Sequence, residues 1–114
     1  MQTLTLNKAQ IFKNSPTCAV YEYSIEDKDI NGAVAHINGR YPEYGYAVNM
    51  ISKELAYVVS GSGKIVVGDN EKLINQGDMI LISPGEKYYW DGVMTLFLAC
   101  TPAWYPEQHK VELK

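Results

Sequence analysis

The sequence predicts an all-β protein with a single domain. Runs rich in valine, isoleucine and tyrosine recur along the chain, at 18–25, 32–37, 45–50, 54–59, 64–67, 72–75, 78–82, 87–90 and 93–100. Residues typical of turns separate these runs. No segment keeps the spacing of an amphipathic helix between two helix caps. Many short strands, roughly 8 to 12 residues apart, are typical of a sandwich or a barrel.

The composition narrows the classes of function. A chain of 114 residues is long enough for one domain, and 46% hydrophobic residues allow it to bury a core. The net charge of −3 argues against a nucleic-acid partner. No apolar run approaches the roughly 20 residues that cross a membrane, and the first residues lack the basic-then-apolar pattern of a secretion signal. We expect neither nucleic acid nor membrane as a partner.

The cysteines predict a reducing compartment. Cys18 and Cys100 lie in separate apolar runs, 82 positions apart. Two cysteines are too few for a disulfide framework, and at this spacing they are not a metal-binding pair. We therefore expect buried, reduced thiols and a cytoplasmic location.

Glycine-containing stretches divide the predicted strands. We expect turns at Asn31-Gly32, Asn38-Gly39, Ser60–Gly63, Gly68–Asn70, Gln76-Gly77, Ser83–Gly85 and Asp91-Gly92. At Gly61 and Gly63 a tight hairpin would use the positive backbone angles that glycine allows. Pro84-Gly85 suits the centre of a type II turn. The segment 101–114 contains two prolines and is predicted to cover the domain without forming a strand.

Two of these stretches together resemble the motifs of the cupin superfamily, small double-stranded β-helix (jelly-roll) barrels. The family's first motif has two histidines one residue apart, a glutamate, six residues and a glycine, and its second half matches Glu54 and Gly61. The second motif opens with Gly-Asp and passes a Pro-Gly turn, which match Gly77-Asp78 and Pro84-Gly85. The resemblance covers about 45–100 and implies a single cupin domain over 1–114.

The resemblance implies a metal site, but this chain departs from the family at the ligands. The second-motif histidine falls on Tyr88, and the first-motif histidines fall on Val48 and Met50, or on Ala47 and Asn49 in a longer spacing. Imidazole is what makes such a site bind a transition metal well, and a phenol must first lose a proton with a pKa near 10. We predict no tightly held metal. If a divalent transition metal is bound, its ligands are Glu54, Tyr88, Asn49 and His36.

The remaining motif residues predict a small-molecule pocket. If Tyr88 faces the barrel interior, strand alternation places Trp90 inside and Tyr89 outside. Glu54, Ala56 and Val58 would also face inward, together with either Tyr46, Val48 and Met50 or Ala47 and Asn49. A few polar groups on apolar walls are typical of ligand sites, and aromatic faces with a carboxylate suit a sugar-like ring or an amine. A filled interior with Glu54 in a structural network is the alternative.

These residues leave three functions open. The first is a binding protein whose ligand contacts Tyr46, Asn49, Glu54, Tyr88 and Trp90, with Arg40 at the barrel mouth recognising an anionic group. The second is a cupin enzyme, either a metal-dependent oxygenase or isomerase with a non-standard ligand set, or an isomerase or epimerase in which Glu54 and Tyr88 transfer protons. The third is a non-catalytic structural or interaction module. His109 is expected to be solvated in a charged tail, and family resemblance implies a homodimer.

Overall fold

A computed structural model describes residues 1–113 as one curled antiparallel sheet. Its described part contains nine strands, which are β1 (Gln10–Ser15), β2 (Cys18–Glu22), β3 (Asn31–Tyr41), β4 (Tyr46–Asn49), β5 (Lys53–Val67), β6 (Asn70–Asn75), β7 (Met79–Ile82), β8 (Lys87–Thr101) and β9 (His109–Glu112). Two 3₁₀ helices, at Leu6–Lys8 and Pro106–Gln108, are the helical elements of this part. The all-β prediction is confirmed.

The 15-residue strand β8 organises the barrel. On one side it pairs with β3, from Asn31 opposite Cys100 to Tyr41 opposite Trp90. On the other side it pairs with β5 along nearly the whole of both strands. The outer edge of β5 pairs first with β7 and then with β6. The ladder therefore runs from β1 through β2, β3 and β8 to β5, and the start of β8 also pairs with β4, which pairs with β9.

The stretch Ser60–Gly63 is not a hairpin, contrary to the sequence prediction. It lies inside the continuous strand β5, at an irregularity of the pairing between Val58 and Ser60. Gly63 stands opposite Gly92 of β8, where a Cβ atom on Gly63 would lie 2.3 Å from the Asp91 carbonyl oxygen. Close approach of two backbones, and not a turn, requires glycine here. The predicted turns at Asn31-Gly32, Asn38-Gly39 and Asp91-Gly92 are likewise inside β3 and β8.

The C-terminal segment also differs from its prediction. Residues His109–Glu112 form β9, which pairs with β4 from Tyr46 opposite Glu112 to Asn49 opposite His109. The two prolines lie outside this strand, so they do not interrupt its hydrogen bonds. The edge strand β9 thus brings the end of the described chain against the first-motif strand.

Alternate side chains of the long strands fill the barrel. Buried apolar residues form one cluster inside it, namely Cys18, Ala35, Ile37, Ala47, Ala56, Val58, Ile65, Ile74, Ile82, Tyr88, Trp90, Met94 and Leu96. Ala47 belongs to this cluster, which selects the register of β4 with Ala47 and Asn49 inside.

Neither 3₁₀ helix is long or apolar enough to span a membrane, and this holds for all helices among residues 1–113.

We predict that Gly63→Ala destabilises the fold. The new Cβ would overlap the β8 backbone, which cannot move without breaking the ladder, and we expect a loss of at least about 2 kcal/mol in the free energy of unfolding. Gly32→Ala is the matched control, because the same Cβ on β3 would lie 3.5 Å from its nearest atom. Urea denaturation of both variants measures the difference, and equal stabilities would contradict the close approach.

Candidate functional site

Glu54 occupies the interior of the barrel near the start of β5. It stands opposite Ile82 of β7 and Cys100 of β8, and only 6% of its surface is exposed. The Cys100 thiol donates a long hydrogen bond to Oε1, with Sγ and Oε1 3.9 Å apart. The other oxygen, Oε2, is buried and has no hydrogen-bond partner. A buried carboxyl group with one unpaired oxygen is unusual, because such a group costs several kcal/mol.

Two cavities adjoin Glu54. The inner cavity has a volume of about 70 Å³, and its lining includes Cys18, Tyr41, Glu54, Tyr88, Trp90 and His109. The outer cavity has a volume of about 250 Å³, and its lining includes Glu22, Tyr23, Asn31, Glu54, Cys100 and Tyr105. Glu54, Val20, Leu98 and Trp104 line both cavities. The carboxyl group therefore lies where the two spaces meet.

The electrostatics of the site follow from its burial. Removal from water raises the pKa of Glu54 from its ordinary 4.5 to about 7, and the neighbouring Asn49 amide and Cys100 thiol lower it only in part. Burial, and then the Glu54 charge, raises the pKa of the Cys18 thiol to about 12. The same causes raise the pKa of Cys100, so both cysteines are free, protonated thiols near pH 7. Glu54 is left as the group that changes charge near neutral pH.

Tyr88 and Trp90 form an aromatic wall of the inner cavity. Both side chains are 3% exposed, as strand alternation predicted, and their rings meet edge to face with centroids 6.3 Å apart. Burial, and then the Glu54 charge, raises the pKa of Tyr88 well above 10. Tyr88 is thus held as a neutral phenol, suited to donating a hydrogen bond.

Asn49 connects the first-motif strand to the C-terminal segment. Its Oδ1 atom accepts a hydrogen bond from the Trp104 indole N–H at 2.9 Å and lies 2.8 Å from His109 Nδ1. Its amide nitrogen, Nδ2, is buried without a partner. Hydrogen-bonding attraction to the Asn49 amide lowers the pKa values of Glu54 and Tyr88, so Nδ2 lies near both side chains although it forms no hydrogen bond of normal geometry with either.

Gln108 anchors the segment that carries Trp104 and His109. Its Oε1 accepts hydrogen bonds from the backbone N–H groups of Ile51 and Ser52, at 2.9 and 2.7 Å, and its Nε2 donates to Ser52 Oγ at 2.8 Å. Asn31 fixes Trp104 through two further bonds, with the Trp104 carbonyl oxygen and backbone N–H. The segment is therefore held as a wall of the site.

Three residues predicted for the site lie elsewhere. Arg40 donates to the carbonyl oxygens of Pro42 and Gly45, at 2.7 and 2.9 Å, and lies over the Tyr89 ring. Tyr46 contacts that ring from another side. His36 is exposed on the outer face of β3 and bonds to Thr95, because its neighbours Ala35 and Ile37 face inward. None of the three lines either cavity.

The side chains present do not form a transition-metal site. No group of three His, Cys, Asp or Glu side chains within residues 1–113 is arranged to hold a metal ion. Of the four metal candidates, His36 is on the outer face and Asn49 Oδ1 is engaged by Trp104 and His109. Glu54 and a neutral Tyr88 remain, which is a weak donor pair. We assign no chemical step to a metal.

The sequence reasoning missed several residues of the site. The expectation that His109 is solvated is wrong, since His109 is half-buried and lines the inner cavity. Tyr41 and Trp104 also line it, and both thiols lie beside Glu54. Asn49 and His109 are 60 positions apart. The alternation of His109-Lys110-Val111-Glu112 was a weak signal for β9, but it could not name the partner strand.

Comparison with known proteins supports the fold. No protein-family model and no curated protein matches the chain by sequence. Among solved structures, the nucleoside dehydratase Pac13 is 18% identical with a TM-score of 0.89, over 99% of this chain and 92% of that one. An RmlC-like cupin from Shewanella frigidimarina is 15% identical with a TM-score of 0.73, over 90% and 93%. Ectoine synthase from P. lautus is 17% identical with a TM-score of 0.72, over 99% and 91%.

The chain is a small cupin-fold protein, as its two half-motifs indicated. Three variants of Pac13 from Streptomyces, with one histidine or one tyrosine replaced, have been solved with uridine. At these identities the likeness concerns the fold.

We predict that Glu54 makes stability depend on pH. Its pKa is raised in the folded state, so between pH 4.5 and about 7 the folded protein keeps a proton that the unfolded chain releases. The free energy of unfolding therefore falls as the pH rises through this window, by about 3 kcal/mol at about 1.4 kcal/mol per pKa unit. Glu54→Gln cannot ionise, so we expect it to lose this dependence and to exceed the wild type in stability above pH 7.

Urea denaturation between pH 4.5 and 8 measures this effect. Glu43→Gln is the control, because Glu43 is an exposed carboxylate outside the cavities and its loss should leave the pH profile unchanged. Parallel profiles for the wild type and Glu54→Gln would show that Glu54 titrates normally.

Proposed function

We propose that the barrel binds a small hydroxylated molecule, such as a sugar or nucleoside, without a tightly held metal. The observation that carries the proposal is Glu54 Oε2, a buried oxygen without a partner in a side chain that lines both cavities. A ligand hydroxyl at this point would supply the missing hydrogen bond. Filling the interior with an apolar side chain would be less costly if the protein needed only a stable core.

Asn49 lines neither cavity, but it lies directly behind Trp104 and His109 of the inner one and adds the complementary hydrogen-bonding group. Its unpaired Nδ2 is a donor, whereas ionised Glu54 Oε2 is an acceptor. One hydroxyl group can donate to the carboxylate and accept from the amide. Glu54 is half neutral near pH 7, which weakens its attraction for a cationic amine. Among the ligand classes suggested by the sequence, these features favour the hydroxylated one.

The sizes of the cavities suit the same ligand class. The inner cavity of about 70 Å³ has room for a substituent bearing a hydroxyl group or for a few waters. The outer cavity of about 250 Å³ takes a ring. Trp104 lines both spaces, and an indole face can pack on the C–H groups of a sugar. The ligand would therefore place its ring in the outer cavity and a hydroxyl group at Glu54.

Catalysis of proton transfer is the second candidate function. It is favoured by the pKa of Glu54, about 7, because a general acid or base works best with a pKa near the working pH. The likeness to Pac13, a nucleoside dehydratase, agrees with this candidate. Both candidates place the ligand at Glu54, so the binding experiment tests their shared part.

We predict that tryptophan fluorescence reports ligand binding directly. The chain has two tryptophans, Trp90 and Trp104, and both line the inner cavity. Uridine, adenosine, D-ribose, D-glucose and dihydroxyacetone, each titrated to millimolar concentration, form the panel. We expect at least one to change the emission saturably, and Glu54→Gln to weaken that binding about tenfold or more, since a bond to a charged group contributes about 1.5–3 kcal/mol.

The control for this experiment is again Glu43→Gln, which should bind like the wild type. Circular dichroism of Glu54→Gln confirms that the variant is folded. If no panel member binds the wild type, or if Glu54→Gln binds equally well, the proposed site is wrong.

The homodimer is a separate proposal with its own surface. Leu55 and Tyr57 point outward from β5, beside the exposed Leu81 and Met79 of β7 and Phe97 of β8. A contiguous exposed apolar patch of this kind marks an interaction surface.

We predict that Leu81→Lys yields a monomer in sedimentation velocity, whereas Leu73→Lys, at an exposed leucine on β6, does not change the mass. A monomeric wild type would refute the proposal.

A further inference from the structure

The inner cavity contains a second pair of ionisable side chains, Tyr41 and His109, which the proposed function does not use. Both line this cavity together with Glu54, and they are 68 positions apart in the sequence. His109 Nε2 lies 3.4 Å from the Tyr41 hydroxyl oxygen. Tyr41 ends β3 and His109 begins β9, so each side chain projects from a fixed strand.

The hydrogen bonds around Asn49 determine which His109 nitrogen carries the proton. An indole N–H can only donate, so the Asn49 atom 2.9 Å from Trp104 Nε1 is the carbonyl oxygen Oδ1. The same oxygen lies 2.8 Å from His109 Nδ1, which must therefore donate a proton to it. In neutral imidazole the other nitrogen then carries a lone pair. Nε2 is thus an acceptor that faces the Tyr41 hydroxyl.

The protonation states agree with this arrangement. Burial lowers the pKa of His109, so the ring is neutral near pH 7 and can accept a proton. Burial, and then the charges of Cys18 and Glu54, raises the pKa of Tyr41 to about 12. The phenol therefore does not ionise alone, and it can pass on a proton only if a base such as His109 receives one from it.

We propose that Tyr41 and His109 form a general base that works with Glu54 as general acid on a hydroxylated aldehyde or ketone in the inner cavity. This inference rests on the proposed function, because it requires a ligand at Glu54. Asn49 and Trp104 are positioning residues, since they fix the His109 ring through Nδ1. Trp104 also meets that ring edge to face at 5.7 Å.

The proposed step converts the carbonyl compound into its enol. The base removes a proton from the carbon next to the carbonyl group: the C–H proton moves to Tyr41 Oη, while the Tyr41 proton moves to His109 Nε2. The C–H electron pair forms a carbon–carbon double bond. The carbonyl π electrons move to the carbonyl oxygen, which takes the proton of neutral Glu54, and the product is an enol. After the step His109 is an imidazolium and Glu54 a carboxylate, and these opposite charges attract each other in a low-dielectric site. Solvent then returns a proton from His109 to Glu54, which restores the protein.

The first test needs no ligand. Long-range ¹H–¹⁵N NMR of the full chain assigns the tautomer of His109, with His36 as the second histidine signal. We expect His109 to carry its proton on Nδ1 at pH 7, with an Nε2 resonance that shifts in Tyr41→Phe but not in Tyr44→Phe, whose tyrosine is exposed. A proton on Nε2, or a charged ring at pH 7, would overturn the inference.

The second test measures proton transfer with dihydroxyacetone, a three-carbon hydroxyketone. In D₂O, we expect the wild type to accelerate deuterium exchange of its C–H protons, and Tyr41→Phe and His109→Gln each to reduce the rate about tenfold or more. Tyr44→Phe and His36→Gln, outside the cavity, should keep the wild-type rate. Unchanged exchange in both cavity variants would refute the base, as would wild-type exchange no faster than that of the buffer.

The two proposals fail in different ways. If dihydroxyacetone binds in the fluorescence assay but shows no catalysed exchange, the base assignment fails and the binding site stands. If no panel member binds and the NMR signature of His109 is nevertheless present, the hydrogen-bond chain is structural, and the proposed function fails.

Discussion

The pairing of β5 with β8 is the constraint on which the site depends. These two 15-residue strands run antiparallel along almost their full length, and their backbones approach closely at Gly61 and Gly63, the second of which faces Gly92. This register places Glu54 opposite Cys100 and directs Tyr88 and Trp90 into the same interior. A shift by one residue would turn every one of these side chains to the outer face. The backbone contact between glycines therefore helps to fix the chemistry inside the barrel.

Burial of Glu54 is the main energetic cost of this arrangement. The carboxyl group receives one weak bond from Cys100, and its other oxygen has none. The protein relieves the cost by raising the pKa of Glu54, because a neutral carboxyl loses less on leaving water than a carboxylate. A group kept near its titration point inside a cavity is able both to accept and to donate a proton. The instability of the charged form and the ability to exchange a proton near neutral pH have the same physical origin, the burial of the carboxyl group.

Local sequence patterns predicted the strands, the cupin resemblance implied that Glu54 and Tyr88 face inward, and strand alternation then placed Trp90 on the face of Tyr88. Strand alternation is a local property, so it could be read from a few residues. The glycines were harder: Gly61 has the predicted positive φ of +84°, but inside a strand, and Gly63 is explained only by the distant β8 backbone. Arg40 and Tyr46 could not be placed, since both depend on Tyr89. His109 was missed for the same reason, as its partner Asn49 is remote in sequence.

The side chains that β4 directs inward limit what the barrel interior can do. Ala47 and Asn49 occupy these positions, so β4 supplies no imidazole, and Asn49 accepts hydrogen bonds from Trp104 and His109. The imidazole reaches the interior from β9 instead, held by Nδ1 and with Nε2 facing a phenol. A histidine held in this way is oriented for proton transfer, because its free lone pair points at a donor inside the cavity. The inner cavity is therefore lined by acids and bases, Glu54, Tyr41 and His109, of which Tyr41 and His109 are hydrogen-bonded to each other.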